Sequence, residues 1–239
     1  MAGLIGWSAF LLDALLPPLC IHCGATLDAP RPGLCPECRT TLCPLPAGGC
    51  RRCCLPCQGA PPECGRCRRW PPGLTAVAAT RYAGAAEAMV RTIKYAGWRH
   101  LGALCADRMA NALGASEARP TVLVPVPLHP TRLRARGFNQ ALLLADSLAF
   151  LLEVPVAEPL ARIRVTPPQV GLTRADRAAN IAGAFRLAGQ LRDGEVVGLV
   201  DDVATSGATI AAAAAALSEA GARRIVAVTF ALALVGTAR

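Results

Sequence analysis

From residue 74 onward, short apolar runs alternate with longer amphipathic stretches. Residues 76–82 read as a strand, and residues 84–95 and 98–113 read as helices. Residues 121–124 form a short β-branched run stopped by Pro125 and Pro127. Residues 138–152 are predicted helical, with Phe138, Ala141, Leu142, Ala145, Leu148 and Leu152 along one stripe. Residues 196–200 and 225–232 read as buried strands, and between them residues 209–220 form an alanine-rich helix ended by Gly221. Strands that are apolar on both faces and alternate with helices predict an α/β fold. Its mostly parallel sheet is flanked by helices and takes ligands at the carboxyl ends of the strands.

Ahead of the Pro71-Pro72-Gly73 break the pattern is different. Residues 4–16 are apolar but interrupted by Asp13, with no basic residue before them. They read as a short helix packing on its own protein rather than as a signal peptide. No run approaches the roughly 18 apolar residues that span a bilayer, so no transmembrane segment is expected and the predicted location is cytoplasmic. Eleven of the 12 cysteines then fall between residues 20 and 67. Cys20-x2-Cys23 and Cys35-x2-Cys38 are two hooks that each aim a pair of sulfurs at one point, and together they complete a tetrahedron around zinc. A second set comprises Cys50, Cys53, Cys54, Cys57, Cys64 and Cys67. Cys50, Cys53, Cys64 and Cys67 are the preferred ligands, because Cys54 then stands where Gly24 stands after the first hook. Cys54 with Cys57 is the competing hook. Cys43 and Cys105 have no partner at ligand spacing and read as spare or buried thiols. Residues 1–73 are thus expected to form a small cysteine-rich zinc-ribbon domain with two structural zinc ions, preceding a larger domain at 74–239.

Composition adjusts this picture only slightly. The chain has 239 residues, 53% hydrophobic and 17% charged, which excludes a globally disordered protein. Its formal charge is +9, and two zinc tetrathiolates at −2 each reduce that to about +5. All but one of the 25 basic residues are Arg, Lys94 being the exception, and this bias reads as genomic composition. Arg51, Arg52, Arg66, Arg68 and Arg69, with Trp70 beside them, suit either a nucleic-acid backbone or a solvated face balancing the anionic zinc sites.

The most informative segment is VVGLVDDVATSGATI, residues 196–210. A buried strand delivers Asp201 and Asp202 to its carboxyl end. Ala204, Thr205, Ser206, Gly207, Ala208 and Thr209 then open directly into a helix, offering backbone amides and hydroxyls to a phosphate. Neither GxxxxGK nor GxGxxG is present, so the common nucleotide-binding loops are not supported. A phosphate cradle beside two carboxylates fits a ribose 5-phosphate, with its hydroxyls on Asp201 and Asp202. Between Glu117 and Asp146 there is no acid, but Arg132, Arg134 and Arg136 follow a Pro-rich turn at a strand end. Arg132 and Arg136 are the candidates for a pyrophosphate-binding loop. His129 is either a contact there or an ordinary turn residue. Residues 162–185 are polar and arginine-rich, long enough to form a lid from which Gln169 and Arg177 would reach the ligand.

The segment around Asp201 and Asp202 resembles the 5-phosphoribosyl-1-pyrophosphate (PRPP) signature of type I phosphoribosyltransferases. VPVPLHPTRLRARGFNQ, residues 124–140, resembles the ComF family of that superfamily, and the agreement continues through Gln169, Arg174, Arg177 and Asn180 to Phe185. The family also carries a cysteine-rich zinc region at its amino end. The resemblance implies binding of PRPP with magnesium and transfer of the phosphoribosyl group to an acceptor, with Asp201, Asp202 and Arg136 in the catalytic site. It also implies a link to natural competence, with single-stranded DNA and DNA-uptake proteins as partners. The alternative is a non-catalytic competence protein that uses the PRPP site for sensing or not at all. No residue stands out as a general base, so the acceptor stays open. Departures from the family pattern are small: Gly198 interrupts the strand, and Ala204 and Ser206 replace bulkier or threonine residues.

Overall fold

A computed structural model describes residues 17–46, 48–116, 119–164 and 183–234. Residues 4–16, together with Gln169, Arg174, Arg177 and Asn180, lie outside the described residues. Four parallel strands form the sheet, in the order β1 (Leu74–Arg81), β6 (Arg224–Leu232), β5 (Val196–Ala204), β2 (Val122–Pro125). Central strands β5 and β6 are mostly apolar, as burial on both faces requires. A separate antiparallel pair joins β3 (Leu160–Arg162) to β4 (Phe185–Leu187). These three-residue strands bracket the predicted lid and were not legible in the sequence, because neither carries a periodic signal of its own.

Side chains alternate across the sheet and build one apolar layer on each face. Val226, Val228 and Phe230 of β6 pack with α3 (Leu101–Gly114) and α5 (Gln140–Leu152), through Met109, Leu113, Leu144 and Leu148. Ile225 and Ala227 point the other way, toward Ile210, Ala213, Ala214 and Leu217 of α6 (Ala208–Glu219). The two cysteine sets divide between these layers. Cys20, Cys35 and Cys38 belong to the first, and Cys50, Cys53 and Cys67 with Trp70 belong to the second. A five-residue helix, α1 (Pro36–Thr40), starts at Cys35, whose sulfur accepts from the Cys38 amide.

Three elements differ from their expected form. The helix predicted over 84–95 is α2 (Ala85–Arg91) followed by a π-helical turn, Thr92–Ala96. The buried stripe of α5 runs through Ala141, Leu144, Ala145 and Leu148, while Leu142 is only half-buried. Arg132 and Arg136 sit on a short helix, α4 (Pro130–Arg136), not on a loop. Pro130 at its first position, the His129 ring accepting from the Thr131 amide at 3.2 Å, and left-handed Gly137 at its end define α4. It buries no residue, so it had no apolar stripe by which to be found. Among the described residues no helix is long and apolar enough to cross a membrane.

Gly198 shows why a strand this apolar contains a glycine. A methyl group built there would lie 2.5 Å from Leu123 Cδ2 and 3.1 Å from Pro120 Cβ. Leu123, its register partner on β2, and Pro120 leave no room for a side chain there. Gly198→Val is expected to cost about 1–3 kcal/mol by overpacking, measurable as a lowered Tm with the helical circular dichroism retained.

Candidate functional site

Strand β5 carries Asp201 and Asp202 to its carboxyl end, next to the turn into α6. Asp202 is 7% exposed, and its amide donates to Asp201 Oδ1 at 2.9 Å. Burial, and then the neighbouring Asp202 charge, push the Asp201 carboxyl up to about 8, against the pull of Lys94. The Lys94 ammonium lies 2.5 Å from Asp202 Oδ2. Burial weighs against the ammonium charge, but the attraction of Asp202 and Asp201 prevails and raises the lysine pKa. Lys94 stands on the π-helical turn. Such a turn holds an extra residue and commonly marks a functional position. Sequence reasoning passed over Lys94 as a product of composition. Yet a single lysine among so many arginines was itself a signal, because a compact ammonium fits a buried carboxylate pair where a guanidinium fork is bulkier.

Ala204 ends β5, Thr205 to Gly207 make the turn, and Ala208 and Thr209 begin α6. Ser206 Oγ accepts from the Ala208 amide at 3.4 Å. Gly207 is left-handed at φ +78, and a methyl group built on it would lie 2.7 Å from Trp70 Cζ2. Both its conformation and its contact with the indole demand glycine. Trp70 is therefore buried against this turn, not displayed with the arginines around it.

Cationic groups couple to this centre as well. Arg132 and Arg136, four residues apart on α4, share one half-buried face, while Arg134 is exposed. Arg136 bonds to the buried Gln140 amide oxygen and lies close enough to Lys94 to oppose its charge. Arg162 of β3 is 9% exposed, with its guanidinium 5.5 Å from the Phe185 ring centre. Burial and the nearby Arg132 lower its pKa, while Asp201 works in the opposite direction. The structure thus brings Asp201, Asp202, Lys94, Arg132, Arg136 and Arg162 into one electrostatic neighbourhood beside the N-terminus of α6. Such an arrangement can hold an anion on backbone amides, accept hydrogen bonds from hydroxyls and neutralise a second anionic group.

The cysteines form two tetrads, Cys20-Cys23-Cys35-Cys38 and Cys50-Cys53-Cys64-Cys67, with the four sulfurs of each within 4.8 Å of one another. Sulfur separations of 3.7 Å for Cys23–Cys35, 3.6 Å for Cys50–Cys67 and 3.5 Å for Cys53–Cys64 are far too long for disulfides. They match the edge of about 3.8 Å expected of a tetrahedron with zinc–sulfur bonds of about 2.3 Å. The donor set therefore fits zinc at both places. After the first hook, Gly24 is left-handed and its amide bonds to the Cys20 carbonyl at 2.9 Å. Cys54 does the same after the second hook, at φ 52, with a 2.8 Å bond to the Cys50 carbonyl. The Cys54 sulfur is not among the four that converge, and burial pushes its thiol up to about 12. Cys105 is buried in α3, and the exposed Cys43 bonds to the Thr40 carbonyl.

No family model matches the chain. DNA utilization protein YhgH of Salmonella typhimurium is 31% identical over 183 residues, which cover 74% of this chain and 80% of that protein. This chain belongs to the YhgH family. The Escherichia coli YhgH protein is 32% identical over the same shares of the two chains. Competence protein F of Haemophilus influenzae is 39% identical over 94 residues, 38% of this chain and 41% of that one. Among solved structures, the glutamine PRPP amidotransferase of B. subtilis superposes with a TM-score of 0.34 at 21% identity, over 54% of this chain and 25% of that one. Leishmania donovani UMP synthase gives 0.37 at 18% identity, over 61% and 29%. Both likenesses are remote, and the sheet described above does not rest on them.

A raised carboxyl pKa gives this YhgH relative a pH dependence of definite sign. The folded state holds the Asp201 proton more tightly than the unfolded chain, whose value is near 3.8. The stabilisation this provides is complete below that value and is lost as pH rises through about 8. The ligand-free protein should melt several degrees lower at pH 9 than at pH 5, and Asp201→Asn should remove most of that difference in a calorimetric pH series.

Proposed function

We propose that this YhgH-family protein binds PRPP with magnesium at the carboxyl end of β5 and transfers the phosphoribosyl group to an acceptor in the service of DNA uptake. The observation that carries this reading is the Asp201–Asp202 pair, Asp202 buried, preceding the Gly207 turn into α6, with Lys94, Arg132 and Arg136 nearby. The 5-phosphate takes the amides and hydroxyls of Thr205, Ser206, Gly207, Ala208 and Thr209. Asp201 and Asp202 accept hydrogen bonds from the ribose hydroxyls. Arg132, Arg136 and Lys94 meet the pyrophosphate, whose charge grows as its bond to ribose C1 breaks and the acceptor bonds to that carbon. Two adjacent carboxylates suit a hard cation that keeps most of its ligands on the substrate, and magnesium bound there supplies charge neutralisation. Gln169 and Arg177, which lie in the sequence between β3 and β4, complete the proposed ligand contacts.

Titration calorimetry tests the site. PRPP should bind only with magnesium present, and Asp201→Asn with Asp202→Asn should abolish binding without unfolding the sheet. A folded wild-type protein that ignores PRPP would refute the reading. Metal analysis of the same sample should give two zinc ions per chain, and one or none would remove the second or both structural sites.

One surface favours a further, non-catalytic contact with single-stranded DNA. Arg51, Arg52 and Arg68 line an open cleft of about 860 Å³ with Trp70, Glu63 and Thr75. Arg52 is committed to Glu63 and to backbone carbonyls, so Arg51 and Arg68 carry the charge available to phosphates. Single-stranded DNA affinity should fall steeply with salt, and Arg51→Ala with Arg68→Ala should flatten that slope by about two counterions. An unchanged slope would place any DNA contact elsewhere.

A further inference from the structure

The second cysteine tetrad and the β5–α6 turn meet at one side chain, Trp70. Its amide donates to the Cys67 carbonyl at 2.9 Å, so the residue is anchored directly to a tetrad cysteine. Its indole lies against Gly207, where even a methyl group would come within 2.7 Å of Cζ2. Arg52, inside the Cys50–Cys53 hook, locks the same residue from the other side. Its Nη2 donates to the Trp70 carbonyl at 3.0 Å and to the Pro71 carbonyl at 2.6 Å, and its Nε donates to the Leu74 carbonyl at 3.1 Å. The Arg52 carbonyl in turn accepts from the Ala76 amide of β1 at 2.8 Å. An unbroken run of contacts therefore leads from both hooks of the tetrad through Trp70 to the turn.

We propose that Trp70 is a positioning residue for the β5–α6 turn, and that metal held by Cys50, Cys53, Cys64 and Cys67 sets the turn's conformation through it. A glycine in the left-handed region has wide conformational freedom, and the turn around it pays entropy to hold one shape. The indole plane removes that freedom by occupying the space into which Gly207 would move. Thiolate–zinc bonds fix the Cys67 turn, and Arg52 fixes the Trp70 backbone, so the indole cannot follow a moving loop. Loss of the metal frees both anchors together. The consequence for ligand rests on the phosphate role given to this turn above, while the mechanical tie stands without it.

Hydrogen–deuterium exchange on the zinc-loaded full chain reads the tie directly. Trp70→Ala should speed exchange of the Thr205, Ser206 and Gly207 amides about tenfold, with β5 and β6 unchanged. Trp70→Phe, which keeps an aromatic plane, should restore exchange to within about threefold of wild type. Chelating zinc from the wild-type protein should reproduce the alanine result at the turn. Unchanged turn exchange in a folded, zinc-loaded Trp70→Ala protein would overturn the proposal. If that variant does not fold, Arg52→Gln decides, since it releases the Trp70 carbonyl without emptying the core: faster turn exchange supports the tie and unchanged exchange refutes it. Titration with ribose 5-phosphate separates the two readings. A wild-type protein that does not bind it while the exchange pattern holds would remove the phosphate role and leave the tie standing. Weaker binding by Trp70→Ala than by Trp70→Phe would support both.

Discussion

Two adjacent carboxylates at the end of a buried strand are the constraint around which the rest of this structure is arranged. Asp201 and Asp202 stand near the carboxyl end of β5, still within the sheet, with Asp202 buried. Removing two like charges from water is costly unless an opposite charge enters with them. Lys94 supplies it from a π-helical turn, Arg162 of β3 feels Asp201, and Arg136 of α4 feels Lys94. The result is a site whose acidic centre still carries proton-binding capacity and whose rim is cationic. Such a balance suits a ligand with hydroxyls at its middle and anionic groups at its ends.

The cysteine tetrads solve a different problem. A segment of some fifty residues with few large apolar side chains cannot order itself by burial alone. Four sulfurs at tetrahedral spacing replace a core, and each tetrad then adds its buried cysteines to one face of the sheet. Placing the tetrads on opposite faces makes the amino-terminal segment part of both apolar layers. Trp70 joins this arrangement to the β5–α6 turn, since it is tied to Cys67 at one end and packed on Gly207 at the other. The same contact changes how the neighbouring arginines are read. With the indole turned inward, their surface is a charged cleft without an exposed stacking platform.

Some of this was legible before any coordinates, and the reasons differ from residue to residue. The central strands announced themselves, because a strand buried on both faces is apolar at nearly every position, as in residues 225–232, where only Thr229 is polar. The cysteine hooks did so through local geometry: a two-residue spacing aims both sulfurs one way whatever surrounds them. The preference for Cys50 over Cys54 followed from the place Gly24 holds after the first hook, and the structure gives Cys54 the same left-handed backbone there. By contrast α4 carries no buried residue, and β3 and β4 pair across more than twenty intervening positions, so no local pattern foretold them.

Local chemistry thus determined what depends on near neighbours: the strand-and-helix alternation, the acidic pair before a glycine turn, and the two sets of four sulfurs. Tertiary structure alone decided what depends on meetings between distant segments. Lys94 reaches Asp202 across more than a hundred residues, Trp70 reaches Gly207 across a similar span, and the two tetrads part to opposite faces of one sheet. The physical reason is common to all three. Burial and charge compensation act through space, and which groups share that space is settled only when the sheet has formed and its two faces have been filled.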